Sequence, residues 1–271
     1  MGGNRYRLQN GRLGGRHFFH QMSFFREVGL QAKERIICPL DVDNSEKAIE
    51  LVQLLKDSIG VFKVGLELTT SVGFQVLEPV KRSGARSVFL DLKLHDIPNT
   101  VAGAMRGVVR LGVWCVTVHA FGGQAMLEAA VEAAKMEAEI SKIERPKVFA
   151  VTLLTSISAK SLLEELKVCK PVQEYVVSLA LMAFRAGCDG VIASPHEIEA
   201  IRRAIPDPSF LVVTPGVRPA GTERGDQARV MTPGEAISKG ANYLVIGRPI
   251  YNAIDPKAAA DKIAEEIEAA L

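Results

Sequence analysis

The sequence DLKLHDIPNT, residues 91–100, places two carboxylates and a lysine within six residues, directly after the apolar run SVFL. Side chains two positions apart on a strand point to the same side, so Asp91 and Lys93 are predicted to project together where this strand ends. Lys63, in the preceding strand-like run, can come alongside them. Because opposite charges stabilise each other's ionised forms, such a row holds a proton donor in a fixed place. The alternative is an ion-pair network with a purely structural role.

The chain from Arg35 onward alternates short β-branched apolar runs with longer segments of helical period, which is typical of βα units and a parallel sheet. The predicted strands are RIICPLD, VFKVGLE, SVFLDLK, VWCVTVHA, KVFAVTLL, CDGVIAS, SFLVVTP and ANYLVIG. The predicted helices span residues 44–59, 100–111, 123–139, 172–186, 195–204 and 256–270, with Asn44 or Ser45 as the first cap. Eight units in about 240 residues predict a single-domain (β/α)8 barrel. A doubly wound open sheet is the alternative, but ICPLDVDN lacks the glycine-rich turn that such a sheet needs.

Chemically capable residues collect where the predicted strands end, and these ends form the C-terminal face on which such barrels carry their active sites. In strand order they are Asp41, Lys63, Asp91 with Lys93, His119, Thr155, Ser194, Pro215 with Gly216, and Gly247 with Arg248. So many residues of this kind at one rim favour a catalytic site over a structural ion-pair network.

The seventh and eighth units carry a similar motif, TPGVRP and YLVIGRPI, in which a strand end is followed by glycine and arginine. Barrels of this class usually bind phosphate in the loops after these strands, so Gly247 and Arg248 are predicted phosphate contacts. Residues 217–230 form a polar segment with little periodicity, which predicts a lid from which Gln227 can reach a phosphorylated ligand. A solvated connection is the alternative interpretation of this segment.

Composition excludes several classes of function. The net charge is +2, but residues 1–30 hold five arginines and one glutamate, which leaves 28 basic and 30 acidic residues in the remainder. With 6% aromatic residues there is neither the basic stripe nor the stacking surface that nucleic-acid binding needs. No apolar run reaches the ~18–20 residues of a membrane span. No cysteine cluster, H-E-x-x-H or P-loop motif supports a zinc site or nucleotide hydrolysis.

Three of the four cysteines (Cys38, Cys115 and Cys188) lie in apolar strand-like runs, and no C-x-x-C motif occurs. Buried free cysteines of this kind indicate a reducing, cytoplasmic compartment. Residues 1–30 are rich in arginine and glycine and end before the first strong strand. We therefore expect an N-terminal extension of unknown role, followed by a barrel domain over residues 31–271.

The motifs LDVDN, FKVGLEL, FLDLKLHDIPNTV, VTLLTS, TPGVRP, GDQARV and VIGRPI occur in this order. In these motifs the chain resembles the orotidine 5′-phosphate decarboxylase family, from about Ile36 to the C-terminal helix. Cys38 and Pro39 depart from the family pattern just before Asp41. The resemblance implies decarboxylation of orotidine 5′-monophosphate to UMP, the last step of pyrimidine synthesis, without a metal or an organic cofactor.

The resemblance also implies a role for each site residue. Lys93 is the expected proton donor, flanked by Asp91 and Lys63. Asp96 and Thr100 are expected to reach the site from the partner subunit of a homodimer. The expected substrate contacts are Asp41 and Lys63 for the ribose, Thr155 for the pyrimidine, and Arg218, Gln227, Gly247 and Arg248 for the phosphate side. In HDIPNT, Pro98 stiffens the chain, and Asn99 or Thr100 is expected to cap the next helix, which would hold Asp96 outward.

Two other functions stay open at this point. One is a keto-sugar-phosphate decarboxylase of the same barrel group, which resembles this scaffold but uses magnesium and has an acid where this chain has Lys63. The other is a non-catalytic barrel that binds a phosphorylated ligand. Binding alone does not need a proton donor, so Lys93 between two acids favours the enzyme.

Overall fold

A computed structural model describes residues 29–219 and 231–271 of the chain. Its strands are β1 (Ile36–Pro39), β2 (Val61–Gly65), β3 (Val88–Leu94), β4 (Cys115–His119), β5 (Lys147–Val151), β6 (Gly190–Ile192), β7 (Leu211–Pro215) and β8 (Tyr243–Val245). Each strand pairs with the next in parallel, and β8 pairs with β1, so the sheet closes into a barrel. This confirms the predicted (β/α)8 barrel and excludes the doubly wound sheet.

The helices that follow the strands are α1 (Ser45–Leu55), α2 (Leu66–Val72), α3 (Leu77–Arg82), α4 (Pro98–Arg110), α5 (Gln124–Ser141), α6 (Ala159–Glu164), α7 (Val172–Arg185), α8 (Ile198–Ala204), α9 (Pro233–Ser238), α10 (Arg248–Tyr251) and α11 (Pro256–Glu268). Asn44 caps α1 as predicted, because its side-chain oxygen accepts a hydrogen bond of 2.9 Å from the Lys47 amide. Within the described part of the chain, no helix is both long and apolar enough to cross a membrane.

The strands alternate between two environments, and this alternation places the site. Phe62 and Val64 of β2 belong to the core between the sheet and the helices, whereas Lys63 between them lines a cavity inside the barrel. In the same way Leu90 of β3 packs under the helices, and its neighbour Asp91 lines the cavity. Period-two alternation in a closed barrel therefore turns polar side chains inward at the strand ends.

Aromatic side chains fill the barrel at the end opposite the C-terminal ends of the strands. Trp114, just before β4, lies with its ring centroid 5.0 Å from that of Tyr243 and 5.9 Å from that of Phe149. Phe149 in turn contacts Phe89 edge to face at 6.5 Å. Because Phe89 also lines the cavity, this cluster forms a packed apolar floor beneath the charged residues.

Five of the eight strands end two or more residues before their predicted last residue. Two of these are β2, which ends at Gly65, and β6, which ends at Ile192, two residues before Ser194. β1 ends at Pro39, two residues before Asp41, and β5 ends at Val151, four residues before Thr155. β8 ends at Val245, so Gly247 precedes the short helix α10 rather than closing the strand. Apolar residues continue past the last ladder pair at these ends, which made the strands look longer in the sequence. Asp41, Thr155 and Gly247 still lie at the C-terminal face of the barrel, because each follows the end of its strand.

Residues Ala32–Leu271 form one compact unit, which contains all eight strands of the barrel. Residues 1–28 lie outside the described residues, so the proposed N-terminal extension over residues 1–30 stays a prediction.

Candidate active site

Four side chains predicted from the strand ends form one continuous charged chain. Lys63 Nζ lies 3.2 Å from Asp41 Oδ1 and 3.5 Å from Asp91 Oδ2. Lys93 Nζ lies 3.0 Å from Asp91 Oδ1 and 2.9 Å from Asp91 Oδ2. The order Asp41, Lys63, Asp91, Lys93 thus alternates in sign, and Asp91 is shared by both ammonium groups.

The inner members of this chain are shielded from solvent. The side chains of Lys63 and Asp91 are 12% and 13% exposed, compared with 32% for Lys93 and 41% for Asp41. Burial raises the pKa of Asp91, but Lys63, Lys93 and a hydrogen bond from Thr117 outweigh it and leave the pKa below its ordinary value. Asp91 is therefore a carboxylate at neutral pH.

The backbone at Lys93 departs from regular strand geometry. Its φ is +52°, in the left-handed region, and the pairing of β3 with β4 shifts register between Leu90 and Leu94. A lysine in this region costs ~1–3 kcal/mol and persists only where the surroundings enforce it. The Lys93 amide accordingly donates a 2.9 Å hydrogen bond to Thr117 Oγ1 on β4. Such bulges often re-aim a side chain beside an active site.

Gly65, the last residue of β2, leaves room for the lysine on its own strand. A Cβ at this position would lie 2.9 Å from Lys63 Nζ and 3.8 Å from Asp41 Oδ1. The absence of a side chain at Gly65 thus lets the Lys63 ammonium group lie between its two carboxylate partners.

A cavity of about 220 Å³ opens beside the charged chain. Charged residues Lys63, Asp91 and Lys93 line one side, and the rest of the wall is mostly apolar, with Val151, Leu153, Leu154, Ile192, Ala193, Pro215 and Val245. Thr155 lies on this wall as well, so the structure brings it to the predicted site although it lies beyond β5. The shape and lining suit a flat ring held against a row of charges.

A second cavity of about 170 Å³ shares Val245 with the first. The predicted phosphate residues Arg218, Gly247 and Arg248 line it together with Asp41, and Tyr251 of α10 forms part of its wall. Because Asp41 contacts Lys63, which lines the first cavity, the charged chain joins the two spaces. An elongated ligand with a ring at one end and an anion at the other fits this arrangement.

Gly247 lies tightly between its neighbours in the second cavity. A Cβ there would lie 2.7 Å from Pro39 Cγ and 3.0 Å from Tyr251 Cε1. Pro39 therefore packs against the glycine of the predicted phosphate loop. Asp41, two residues further on, still lies 3.2 Å from Lys63.

Asp96 and Thr100 are exposed and are absent from the linings of the two cavities among the described residues. The expected cap at Asn99 or Thr100 is wrong, because α4 already begins at Pro98. Proline suits the first helical turn, where an amide hydrogen has no partner within the helix. Asp96 Oδ1 accepts a 2.6 Å hydrogen bond from the Ile97 amide.

Gln227 falls outside the described residues. The residues on either side of its segment meet, because Val217 pairs with Met231.

Three histidines, His95, His119 and His196, lie in the described residues. His119 Nδ1 accepts a 3.3 Å hydrogen bond from the Phe121 amide, and its ring stacks on His95 with centroids 5.4 Å apart. Burial lowers the pKa of His119, and His95 and Lys93 lower it further. His196 is exposed. Over residues 29–219 and 231–271, no group of three or more His, Cys, Asp or Glu side chains is arranged to hold a metal ion.

Residues 34–263 match the model of the orotidine 5′-phosphate decarboxylase / HUMPS family. The chain belongs to this family. Orotidine 5′-phosphate decarboxylase of Moorella thermoacetica is 54% identical over 241 residues, which cover 89% of this chain and 95% of that relative. The corresponding protein of Syntrophomonas wolfei is 49% identical over 240 residues, covering 88% of this chain and all of that relative.

Solved structures agree with the family assignment. Orotidine 5′-phosphate decarboxylase of Lactobacillus acidophilus superposes with a TM-score of 0.75 at 40% identity, covering 86% of this chain and 98% of that chain. The enzyme of Pyrococcus horikoshii superposes with a TM-score of 0.68 at 28% identity, covering 86% and 98%.

Two residues of the candidate site in this chain, Thr117 and Tyr251, were not predicted from the sequence. Thr117 contacts both Asp91 and the Lys93 backbone, but in VTVH it looks like an ordinary β-branched strand residue. Tyr251 follows GRPI and lines the second cavity. Its position three residues after Arg248, on the same helix, was an available signal.

Proposed function

We propose that the chain decarboxylates orotidine 5′-monophosphate to UMP, with Lys93 as the group that stabilises the product carbanion and protonates it. The observation that carries this proposal is the contact of both Asp91 oxygens with Lys93 Nζ, within 3.0 Å, at the wall of a mostly apolar cavity. A fixed ammonium group in such a place is suited to a reaction that develops negative charge on carbon.

The reaction breaks the bond between C6 of the pyrimidine and its carboxylate. Carbon dioxide leaves, and the electron pair stays on C6, where no conjugated group can accept it. The Lys93 ammonium group stabilises this charge and then transfers a proton to C6, and the neutral amine regains a proton from solvent. The side chain of Lys93 is 32% exposed, so solvent can reach the amine and reprotonate it.

The two ammonium groups have different duties in this scheme. An ammonium group has three N–H donors, and the contacts of Lys93 with Asp91 account for at most two, which leaves one for the substrate. Lys63 is held between Asp41 and Asp91 and is more buried, so we assign it to the ribose and to the charge balance of Asp91. Asp91 orients Lys93, and its negative charge lies near the departing carboxylate.

Substrate orientation follows from the two cavities. The pyrimidine occupies the mostly apolar cavity beside Lys93, with Thr155 on its wall. The phosphate occupies the second cavity, where Arg248, Arg218 and the Gly247 amide supply positive charge and donors. Asp41 and Lys63 between the two receive the ribose hydroxyls. Gln227 is assigned to the phosphate side on the family resemblance alone.

The proposal includes a homodimer in which Asp96 and Thr100 complete the partner's site. Asp96 follows β3 at an exposed corner, and the neighbouring Ile97 is 66% exposed. Leu66, which follows the adjacent strand β2, is 53% exposed. Large apolar side chains beside a charged site at one rim favour a protein interface there.

A cytoplasmic location is part of the proposal as well. Cys38, Cys115 and Cys188 are buried free thiols, and burial raises the pKa of Cys38 and of Cys188 to about 12. Thiols of this kind are inert and fit a reducing compartment.

The magnesium-dependent sister enzyme is a weaker candidate because of Lys63. Its Nζ lies 3.2 Å from Asp41 and 3.5 Å from Asp91, so a divalent cation at these carboxylates would meet a fixed positive charge.

One assay separates the candidate functions. Purified protein is mixed with orotidine 5′-monophosphate, and the loss of its absorbance is followed with and without a chelator. We expect turnover that the chelator does not change. Turnover that needs added magnesium would overturn the metal-free mechanism, and binding without turnover would indicate a non-catalytic barrel.

A further inference from the structure

Thr117 of β4 is a fully buried polar residue that contacts two members of the charged chain at once. Its Oγ1 lies 2.9 Å from the Lys93 amide nitrogen and 2.9 Å from Asp91 Oδ1. Among the described residues, the other side-chain hydrogen bonds to Asp91 come from the charged Lys93. Thr117 supplies the one that comes from an uncharged side chain.

The direction of these two hydrogen bonds is fixed by chemistry. A backbone amide can only donate, so the Thr117 oxygen accepts from Lys93. An ionised carboxylate can only accept, so the single hydroxyl proton of Thr117 points to Asp91. A directed chain therefore runs from the Lys93 backbone through Thr117 to the carboxylate that holds the Lys93 ammonium group.

The Lys93 amide needs this side-chain acceptor because the main-chain pairing is interrupted there. With φ at +52° and a register shift between Leu90 and Leu94, β3 does not continue its regular ladder with β4 at this residue. The Thr117 hydroxyl oxygen accepts the hydrogen bond of the Lys93 amide in place of a main-chain carbonyl. Without it, the partly buried amide would lose its acceptor, and the left-handed conformation would lose a contact that enforces it.

We propose that Thr117 is a positioning residue for decarboxylation, whose hydroxyl holds Lys93 in its strained backbone conformation and fixes the Asp91 carboxylate beneath its ammonium group. This inference rests on the proposed function of Lys93. Thr117 acts through Lys93 and Asp91 rather than on the substrate, since it is absent from the residues that line the cavity.

The test compares Thr117→Val, which keeps the shape and removes the hydroxyl, with Thr117→Ser, which keeps the hydroxyl. We expect Thr117→Val to lose about 10- to 100-fold in kcat with the KM for orotidine 5′-monophosphate changed less than about threefold, because the phosphate contacts are untouched. Thr117→Ser should recover most of that loss. A kcat for Thr117→Val within about twofold of wild type, or equal losses in both variants, would overturn the proposal.

Thr214 of β7 offers a matched control. It is also a buried barrel threonine, and its hydroxyl has no hydrogen-bond partner among the described residues. Thr214→Val should leave kcat unchanged, and an equal loss there would mean that removing any buried threonine hydroxyl from the sheet lowers activity. If Thr117→Val is insoluble, Thr117→Cys takes its place, because it keeps the volume and weakens both hydrogen bonds.

A measurement that does not depend on turnover separates this inference from the proposed function. Carbon NMR of the Asp91 carboxyl group should give a higher pKa in Thr117→Val than in the wild type, since one stabilising donor is lost. The acidic limb of the kcat/KM profile, which reports groups of the free enzyme, should move to higher pH in the same variant. An unchanged Asp91 pKa would contradict the positioning role even if wild-type turnover were absent, whereas absent turnover with a raised pKa would contradict only the proposed reaction.

Discussion

Lys93 Nζ lies 2.9 Å from Asp91 Oδ2, and the lysine that makes this contact has a backbone φ of +52°. The ammonium group is thus held by Asp91, two residues earlier on the same strand. This is the point where the strand leaves regular geometry. Strain of this kind is kept at functional sites when neighbouring contacts enforce it. The relationship ties the position of Lys93, the proposed proton donor, to the ionisation of Asp91.

Lys93→Ala should abolish turnover while binding of UMP survives. The proposed proton donor acts after the phosphate has anchored the ligand, so we expect kcat to fall at least ~1,000-fold and the Kd for UMP to change far less. Steady-state assays and calorimetry measure the two quantities. Lys47→Ala, which removes an exposed lysine paired with Asp43, is the control and should keep wild-type values. Near-normal activity of Lys93→Ala would remove Lys93 from the mechanism.

Arg248→Ala should act through the phosphate. We expect kcat/KM for orotidine 5′-monophosphate to fall about 10- to 100-fold, whereas the value for phosphate-free orotidine should change less than about threefold. Arg86→Ala is the control, because Arg86 is exposed and precedes β3 at the opposite end of the barrel. Equal losses for the two substrates would show that Arg248 does not contact the phosphate.

Much of this site was predictable because the barrel follows simple rules. Strand period predicted that Asp91, Lys93 and Lys63 lie together, and the C-terminal face of the barrel placed Asp41 at the same rim. The structure brings all four into one row of contacts. Predicted helix bounds were close too, as for residues 172–186 against Val172–Arg185. These features depend on periodicity and topology, which the sequence carries directly.

The details that were missed depend on contacts between strands. The left-handed conformation of Lys93 is not signalled by its residue type, because glycine or asparagine usually marks such positions. The hydrogen bonds of Thr117 exist only because a bulge in β3 faces it. The start of α4 at Pro98 was missed because Asn99 and Thr100 are also good cap residues, so local preference did not distinguish the two starts.

His119 should make stability depend on pH. Burial, His95 and Lys93 lower its pKa below the ordinary 6.5. The unfolded chain therefore binds a proton more readily, so the stabilisation is fully present above about pH 6.5 and is lost as pH falls toward the folded pKa. We expect the drop in Tm between about pH 7.5 and about pH 5.5 to be smaller in His119→Gln than in wild type. His196→Gln, which changes an exposed histidine, should keep the wild-type drop, and an unchanged drop in His119→Gln would contradict the prediction.

Removal of residues 1–30 should leave activity intact. Every residue assigned to the site lies downstream of Ile36, and Ala32–Leu271 forms one compact unit that contains the whole barrel. The truncated and full-length proteins are compared by kcat/KM and Tm. A soluble but inactive truncation would show that the extension takes part in the site or in the assembly.

Asp96 is exposed beyond β3 and is absent from the residues that line its own cavities, so its proposed target is the site of a second subunit. The corner that carries it is stiff, since its carboxylate accepts a hydrogen bond from the Ile97 amide and Pro98 begins α4 directly afterwards. Lys93→Ala and Asp96→Ala subunits should each be nearly inactive alone, because each dimer then lacks one of the two groups in both sites.

Mixed dimers of these variants should regain activity, because one of their two sites receives an intact Lys93 from one subunit and an intact Asp96 from the other. When the two variants are unfolded together and refolded, random pairing makes half of the dimers mixed, with one restored site each, so activity should reach roughly a quarter of wild type. Native mass spectrometry verifies that mixed dimers form, and each variant refolded alone serves as the control. If mixed dimers are present and activity does not exceed the sum of the two parents, Asp96 does not complete the partner's site.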